Sequence, residues 1–103
     1  MTTEQPKVQL GDIYVSAWGY DQTNIDFYQV VALTASGKTV TLRQLAKTHV
    51  DAEHVLPEPD AFFNGELLRH RVNKRGTIAV KSFAAAWRWE GKPMYQTPWG
   101  YGH

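Results

Sequence analysis

Hydrophobic residues in the first half of the chain recur with the period of β-strands rather than that of helices. The clearest case is residues 38–43, KTVTLR, in which Val40 and Leu42 point to one face of a strand and the polar residues to the other. Strict alternation of this kind is typical of an antiparallel sheet with one buried face. The pattern favours a mainly β fold and predicts that Val40 and Leu42 belong to its core.

Turn residues between such runs predict two β-hairpins. The first joins residues 27–34 to residues 38–43 through a turn in which Gly37 is expected to adopt a positive φ. The second joins residues 67–72 to residues 77–83 through the turn NKRG. Each hairpin supplies two adjacent antiparallel strands.

The remaining segments add detail to this β pattern. Residues 13–18 carry apolar or aromatic side chains on both faces, so both faces of this strand are expected to be buried. In the second hairpin, Leu68 and Val72 are expected to point inward. The segment PEPD that begins at Pro57 predicts a long surface connection to about Gly65, because each proline disfavours helix in the residue before it.

Short strands joined mostly as hairpins indicate a small antiparallel barrel or a strongly bent sheet with little helix, because such folds bury two faces and limit exposed edges. An SH3-like barrel is the first choice and an OB-like barrel the second. The 103 residues are enough for one hydrophobic core only. We therefore expect a single domain over residues 1–103, with residues 1–9 as a flexible N-terminal segment.

Charge is divided unevenly along the chain, although the net charge is only +1. Residues 1–66 contain four basic and nine acidic side chains, whereas residues 67–103 contain seven basic and one acidic. The second part is therefore the basic pole of the molecule. The basic residues that we assign to a binding surface are Arg69, Arg71, Lys74, Arg75, Lys81 and Arg88.

Basic side chains beside flat aromatic ones are the composition that proteins use to neutralise phosphates and to stack bases. Trp87 and Trp89 share a face if their segment is extended, and they complete the predicted nucleic-acid-binding or partner-binding set. Two other interpretations stay open. The charges can serve solubility and be neutralised by the acidic part on folding, and the tryptophans can fill the core of a small domain.

No pattern in the chain points to catalysis or to a metal. The absence of cysteine excludes disulfides, thiol nucleophiles and zinc fingers. The four histidines lie in no recognised motif, and residues 21–26, DQTNID, lack the spacing of an EF-hand and favour an Asx-type loop. We therefore assign no catalytic residue, metal or cofactor, and a small hydrolase or metal-dependent enzyme is the last alternative. No segment reaches the ~18 apolar residues of a membrane span.

Short segments at both ends of the chain carry a resemblance to a known group of proteins. They are GDIY at residues 11–14, WGYDQTN at 18–24, DFY at 26–28, GKP at 91–93, YQT at 95–97 and GYGH at 100–103. On these segments the chain resembles small uncharacterised proteins of tailed phages and other bacterial mobile elements. The resemblance implies the cytoplasm of a bacterial host. It also implies an accessory role, which for proteins of this size is commonly nucleic-acid binding or inhibition of a host system.

These observations predict a non-enzymatic binding module that engages nucleic acid through its basic second hairpin and nearby aromatic residues. The alternative is a protein-binding inhibitor of a host defence complex, of the anti-CRISPR type. The expected partner is therefore nucleic acid or a host protein complex, with no membrane involved.

Overall fold

The computed structural model of the chain describes residues 8–19, 23–73, 76–81 and 84–96. Within these residues there is no helix, and eight strands form one antiparallel sheet. The strands are β1 (Ile13–Trp18), β2 (Asn24–Leu33), β3 (Thr39–His49), β4 (His54–Phe62), β5 (Leu68–Arg71), β6 (Ile78–Lys81), β7 (Ala84–Arg88) and β8 (Met94–Tyr95). The prediction of a mainly β protein with little helix is confirmed.

The sheet is strongly bent but is not closed into a barrel. Its strands follow the order β6-β7-β1-β2-β3-β4-β8, and β5 lies beside β3. One edge of β3 pairs first with β5, from Thr39 to Leu42, and then with β4, from Leu45 to His49. The β5 and β6 ends meet only at the single bridge between Val72 and Ile78. The bent sheet is therefore the correct alternative, and the closed SH3-like or OB-like barrel is not.

In the second predicted hairpin, Asn73 and Thr77 are hydrogen-bonded to each other, but β5 and β6 do not pair as adjacent strands. The backbone N of Asn73 donates to the carbonyl of Thr77 at 2.9 Å, and the side chain of Asn73 accepts from the Thr77 backbone N at 3.0 Å. Beyond the Val72–Ile78 bridge the two strands separate. Each forms more hydrogen bonds elsewhere, since β5 pairs with β3 and β6 pairs with β7.

Both faces of the central strands are buried, as the pattern of residues 13–18 predicts. The first cluster contains Tyr14, Tyr28, Val30, Val40, Leu42, Ile78, Val80 and Ala86, with Val8, Leu33, Leu68 and Val72 packed against it. The second cluster contains Val15, Ile25, Phe27, Leu45 and Val55, with Ile13, Phe62, Trp89 and Met94 packed against it. Neighbouring residues of β1 and β2 alternate between the two clusters because successive side chains point to opposite faces. The core assignments of Val40, Leu42, Leu68 and Val72 are confirmed.

The proline-containing segment is part of strand β4, so the expected surface connection is wrong over this stretch. Pro57 lies opposite Lys47 and Phe62 opposite Leu45, which leaves a bulge of four residues in β4. Within the bulge, Asp60 has a φ of 62° and its backbone N donates to the side chain of Gln29 on β2 at 2.9 Å. The Gln29 amide donates back to the Asp60 carboxylate at 2.8 Å. The bulge therefore folds across β3 to reach β2.

The turn between β2 and β3 has the predicted positive φ, which is 72° at Gly37. A Cβ added there would meet no atom within 4 Å, so Gly37→Ala should act through backbone strain alone. The left-handed conformation costs an L-residue roughly 1–2 kcal/mol, and urea melts should show a loss of that size in the free energy of unfolding. Gly65 also has open space but no positive φ, so Gly65→Ala is the matched control and should not destabilise. Equal midpoints for the two variants would contradict the assigned turn.

Candidate nucleic-acid interface

Three arginines lie on one face of β3 and β5, on the side opposite the first cluster. Arg69 is paired with Thr41, and Arg71 with Thr39. Directly paired residues of an antiparallel ladder share a face, and Arg43 shares that face because it lies two residues from Thr41 along β3. We call Arg43, Arg69, Arg71 and the two threonines the basic face.

Arg69 and Arg71 lack a side-chain partner among the described residues. Both are exposed, and no hydrogen bond or ion pair of the described residues engages either guanidinium. Several carboxylates of the described residues have partners of their own. The described contacts join Asp12 to Arg88, Asp26 to Trp18 and Gln44, Asp51 to His54, and Asp60 to Gln29. In the described part of the chain, neither Arg69 nor Arg71 forms an ion pair with a carboxylate.

Arg43 adds a third positive charge that is held in place. Its guanidinium carbon lies 4.0 Å from the centre of the Phe62 ring, and its Nη2 donates to the carbonyl of Asn64 at 2.7 Å. Its buried Nε has no hydrogen-bond partner. These contacts orient the side chain without a carboxylate, so the positive charge of Arg43 adds to that of Arg69 and Arg71.

A shallow groove of about 160 Å³ opens beside Arg69. It is lined by Ala32, Leu33, Thr34, Thr39, Thr41 and Arg69. Drug-sized ligands occupy pockets of roughly 300 Å³ and more, so this groove suits a single small group. Arginine and threonine side chains are common donors to phosphate oxygens, and the lining is compatible with a backbone phosphate.

The other described members of the predicted set lie on β7 or directly after it. The bend of the sheet brings β7 within two strand steps of the end of β5, because Val72 bridges to Ile78 of β6 and Ile78 is paired with Ala86 of β7. Arg88 lies opposite Tyr14, on the side of the first cluster, and its Nη1 bonds the Asp12 carboxylate at 2.8 Å. Arg88 therefore differs from Arg69 and Arg71 in having a carboxylate partner.

Trp87 lies in β7 and Trp89 directly follows the strand, and the two side chains have different surroundings. Trp89 packs against the second cluster, where its ring meets Phe27 edge-on with centroids 6.1 Å apart. Its indole N donates to the carbonyl of Lys92 at 2.8 Å. Trp87 is 36% exposed and is paired with Val15. Trp89 therefore serves the core, whereas Trp87 is a partly exposed aromatic residue.

The basic turn is only partly described. Lys74 and Arg75 lie outside the described residues. Lys81 ends strand β6, where its backbone pairs with Ala84 of β7, and its side chain is likewise outside the described part.

The structure also presents an aromatic residue that the sequence did not single out. Phe63 is 65% exposed and follows directly after β4, where its backbone N donates to the carbonyl of Gln44 at 2.8 Å. This bond places Phe63 on the same edge of β3 that carries β5. The sequence does show two adjacent aromatic residues at positions 62 and 63. Their place beside β3 follows only from the pairing of β3 with both β4 and β5.

Polar clusters elsewhere have structural explanations. Asp26, expected in a loop, lies in β2 and accepts the Trp18 indole N–H at 2.7 Å, whereas residues 21 and 22 of that loop are outside the description. Burial lowers the pKa of Lys47, whose Nζ donates to the Ile25 carbonyl and to Gln96 at 2.6 and 2.7 Å. Among the described residues no three histidine, cysteine or acidic side chains are grouped to hold a metal ion.

The exposed pair of His54 and Asp51 lies in the turn before β4. The His54 Nδ1 is 3.0 Å from the carboxylate, and the backbone N–H of Glu53, followed by the His54 side chain, holds the pKa of Asp51 below its ordinary value. The pair lies at the far end of β3 from the basic face and stabilises its own turn.

Comparison of the chain with protein-family models, with curated proteins and with solved structures finds no match. In the described part of the chain, no helix is long and apolar enough to cross a membrane. The basic face, through its geometry and charge, is therefore the feature from which a function can be inferred.

Proposed function

We propose that the protein binds nucleic acid through the basic face, without catalysing a reaction. The observation that carries this proposal is the pair of exposed, unpartnered arginines, Arg69 and Arg71, on one face of β5. Arg43 adds positive charge to the same face, and the groove beside Arg69 offers threonine hydroxyls. Exposed cations on one rigid face are what phosphate recognition requires.

The setting of this function follows the resemblance to phage and mobile-element proteins. We take it to be the cytoplasm of a bacterial host, where a small accessory protein meets DNA or RNA. A host protein complex, as for an inhibitor of the anti-CRISPR type, is the competing partner. The two partners differ in whether binding follows phosphate electrostatics.

Salt dependence of binding tests the proposal. Each phosphate contact contributes a slope in log K against log salt of roughly −0.7 on single strands and about −0.9 on duplex. Fluorescence anisotropy with labelled oligonucleotides should therefore show a slope that Arg69→Gln and Arg71→Gln each reduce by somewhat under one unit. Lys92→Gln removes an exposed charge beyond β7 and is the matched control, which should leave the slope unchanged.

Two outcomes would contradict the proposal. One is the absence of any oligonucleotide binding at low salt and about 10–100 µM protein, the range in which non-specific binding is typically detected. The other is a salt slope that Lys92→Gln lowers as much as the two β5 variants do. Either result would make a host protein complex the leading partner.

A further inference from the structure

The loop between β4 and β5 presents an exposed aromatic ring on a fixed backbone. Phe63 is anchored through its backbone N to Gln44, and the next residue, Asn64, accepts the Arg43 guanidinium at 2.7 Å. The Asn64 side chain also accepts the backbone N of Glu66 at 2.8 Å. A loop that is already ordered loses little conformational entropy on binding a ligand.

The loop that carries this ring is joined to the basic face through Arg43. Gln44, which holds Phe63, lies three residues along β3 from Thr41, the residue paired with Arg69. At ~3.3 Å per residue the backbone separation is about 10 Å. Arg43 belongs to the basic face and also holds the loop, so one side chain links the two features.

The arrangement distinguishes between forms of nucleic acid. Positive charges that follow the backbone, combined with an aromatic ring that stacks on a base, are the usual means of binding single strands. In a duplex the faces of the bases are already covered by their neighbours. An exposed ring on a loop held by Arg43 of the basic face therefore gains a stacking contact only with an unpaired base.

We propose that the nucleic acid bound by this protein is single-stranded and that one of its bases stacks on Phe63 while Arg69 and Arg71 hold its backbone phosphates. This inference rests on the proposed function and adds to it the strand form and the stacking residue. It assigns to Phe63 the role that the sequence gave to Trp87 and Trp89.

The test compares Phe63 variants on single and double strands of the same sequence. Phe63→Ala should weaken binding of a labelled oligonucleotide of about 15 nucleotides by roughly 5- to 150-fold, the range for loss of one stacked base. Duplex binding and the salt slope should stay unchanged, because stacking releases no counterions. Phe63→Trp should retain single-strand binding, whereas Phe63→Leu should not, although both keep an apolar side chain.

Leu67 provides the matched control. It lies in the same loop and is 63% exposed, but its side chain has no π face, so Leu67→Ala should leave single-strand affinity nearly unchanged. Circular dichroism confirms the fold of each variant. Equal losses for Phe63→Ala and Leu67→Ala would overturn the inference and indicate an apolar contact with a protein.

The remaining outcomes separate this inference from the proposed function. If Arg69→Gln lowers the salt slope but Phe63→Ala changes nothing, the stacking role is wrong and nucleic-acid binding stands. If the unmodified protein binds only duplex, the single-strand assignment is wrong. If it binds neither form, both proposals are overturned.

Discussion

Replacing Phe27 by alanine should lower the free energy of unfolding by roughly 3–5 kcal/mol, the usual cost of removing a buried phenylalanine ring. Phe27 is fully buried in the second cluster. Its ring meets Trp89 edge-on, which adds an aromatic contact to the loss of buried area. Because a domain of this size has a total stability of roughly 5–15 kcal/mol, this single change should remove a large part of it.

Urea-induced unfolding followed by tryptophan fluorescence measures this effect. Leu67→Ala is the control, because an exposed side chain away from special features typically changes stability by about 0.5 kcal/mol or less. A loss below about 1 kcal/mol for Phe27→Ala would mean that the second cluster is not a packed core. The result therefore tests whether the sheet is buried on both faces.

Stability should also fall as the pH rises from 10 to 12, and Tyr28 should account for much of the fall. Burial, followed by the negative charges of Asp26 and Glu66, raises the pKa of Tyr28 from 10.0 to about 12. The folded state therefore keeps the phenol proton that the unfolded chain releases above pH 10. The contribution of this group is fully present below pH 10 and is lost as the pH rises to about 12, a change of roughly 2–3 kcal/mol.

Urea midpoints at pH 9 and pH 11.5 measure this dependence. Tyr28→Phe should flatten the alkaline loss, because phenylalanine has no proton to release. Some loss should persist, since burial also raises the pKa of Tyr14. Tyr95→Phe, at a side chain that is 44% exposed, is the control and should follow the unmodified protein. Parallel profiles for Tyr28→Phe and the unmodified protein would show that Tyr28 is not the responsible group.

The candidate interface depends on the core that these two experiments measure. Val40 and Leu42 of β3 lie in the first cluster, while Thr39 and Thr41, on the opposite side of the same strand, lie beside Arg71 and Arg69. Packing of one face thus fixes the spacing of the arginines on the other. Side chains on a packed sheet are positioned more rigidly than those on a loop, which favours recognition of a regular phosphate backbone.

Part of the site was predictable from the sequence. The alternation of residues 38–43 placed Arg43 on the face opposite Val40 and Leu42, and the charge division pointed to the region that contains Arg69 and Arg71. Arg88 and Trp89, which the sequence grouped with these arginines, have internal contacts of their own. Arg88 lies on another strand and bonds Asp12, a contact across 76 positions of the chain that no local pattern contains.

The sequence by itself determined the β class, the two faces of β3 and the positive φ of the Gly37 turn. Each of these depends on neighbours along the chain, because the two-residue period of a strand and the freedom of glycine are local properties. Only the tertiary structure decided that β3 pairs with both β4 and β5, that the strands of the second hairpin separate, and that Arg43 holds the loop that carries Phe63. Strand pairing is a competition among distant segments for hydrogen bonds and buried area, and each segment's local pattern is compatible with several partners.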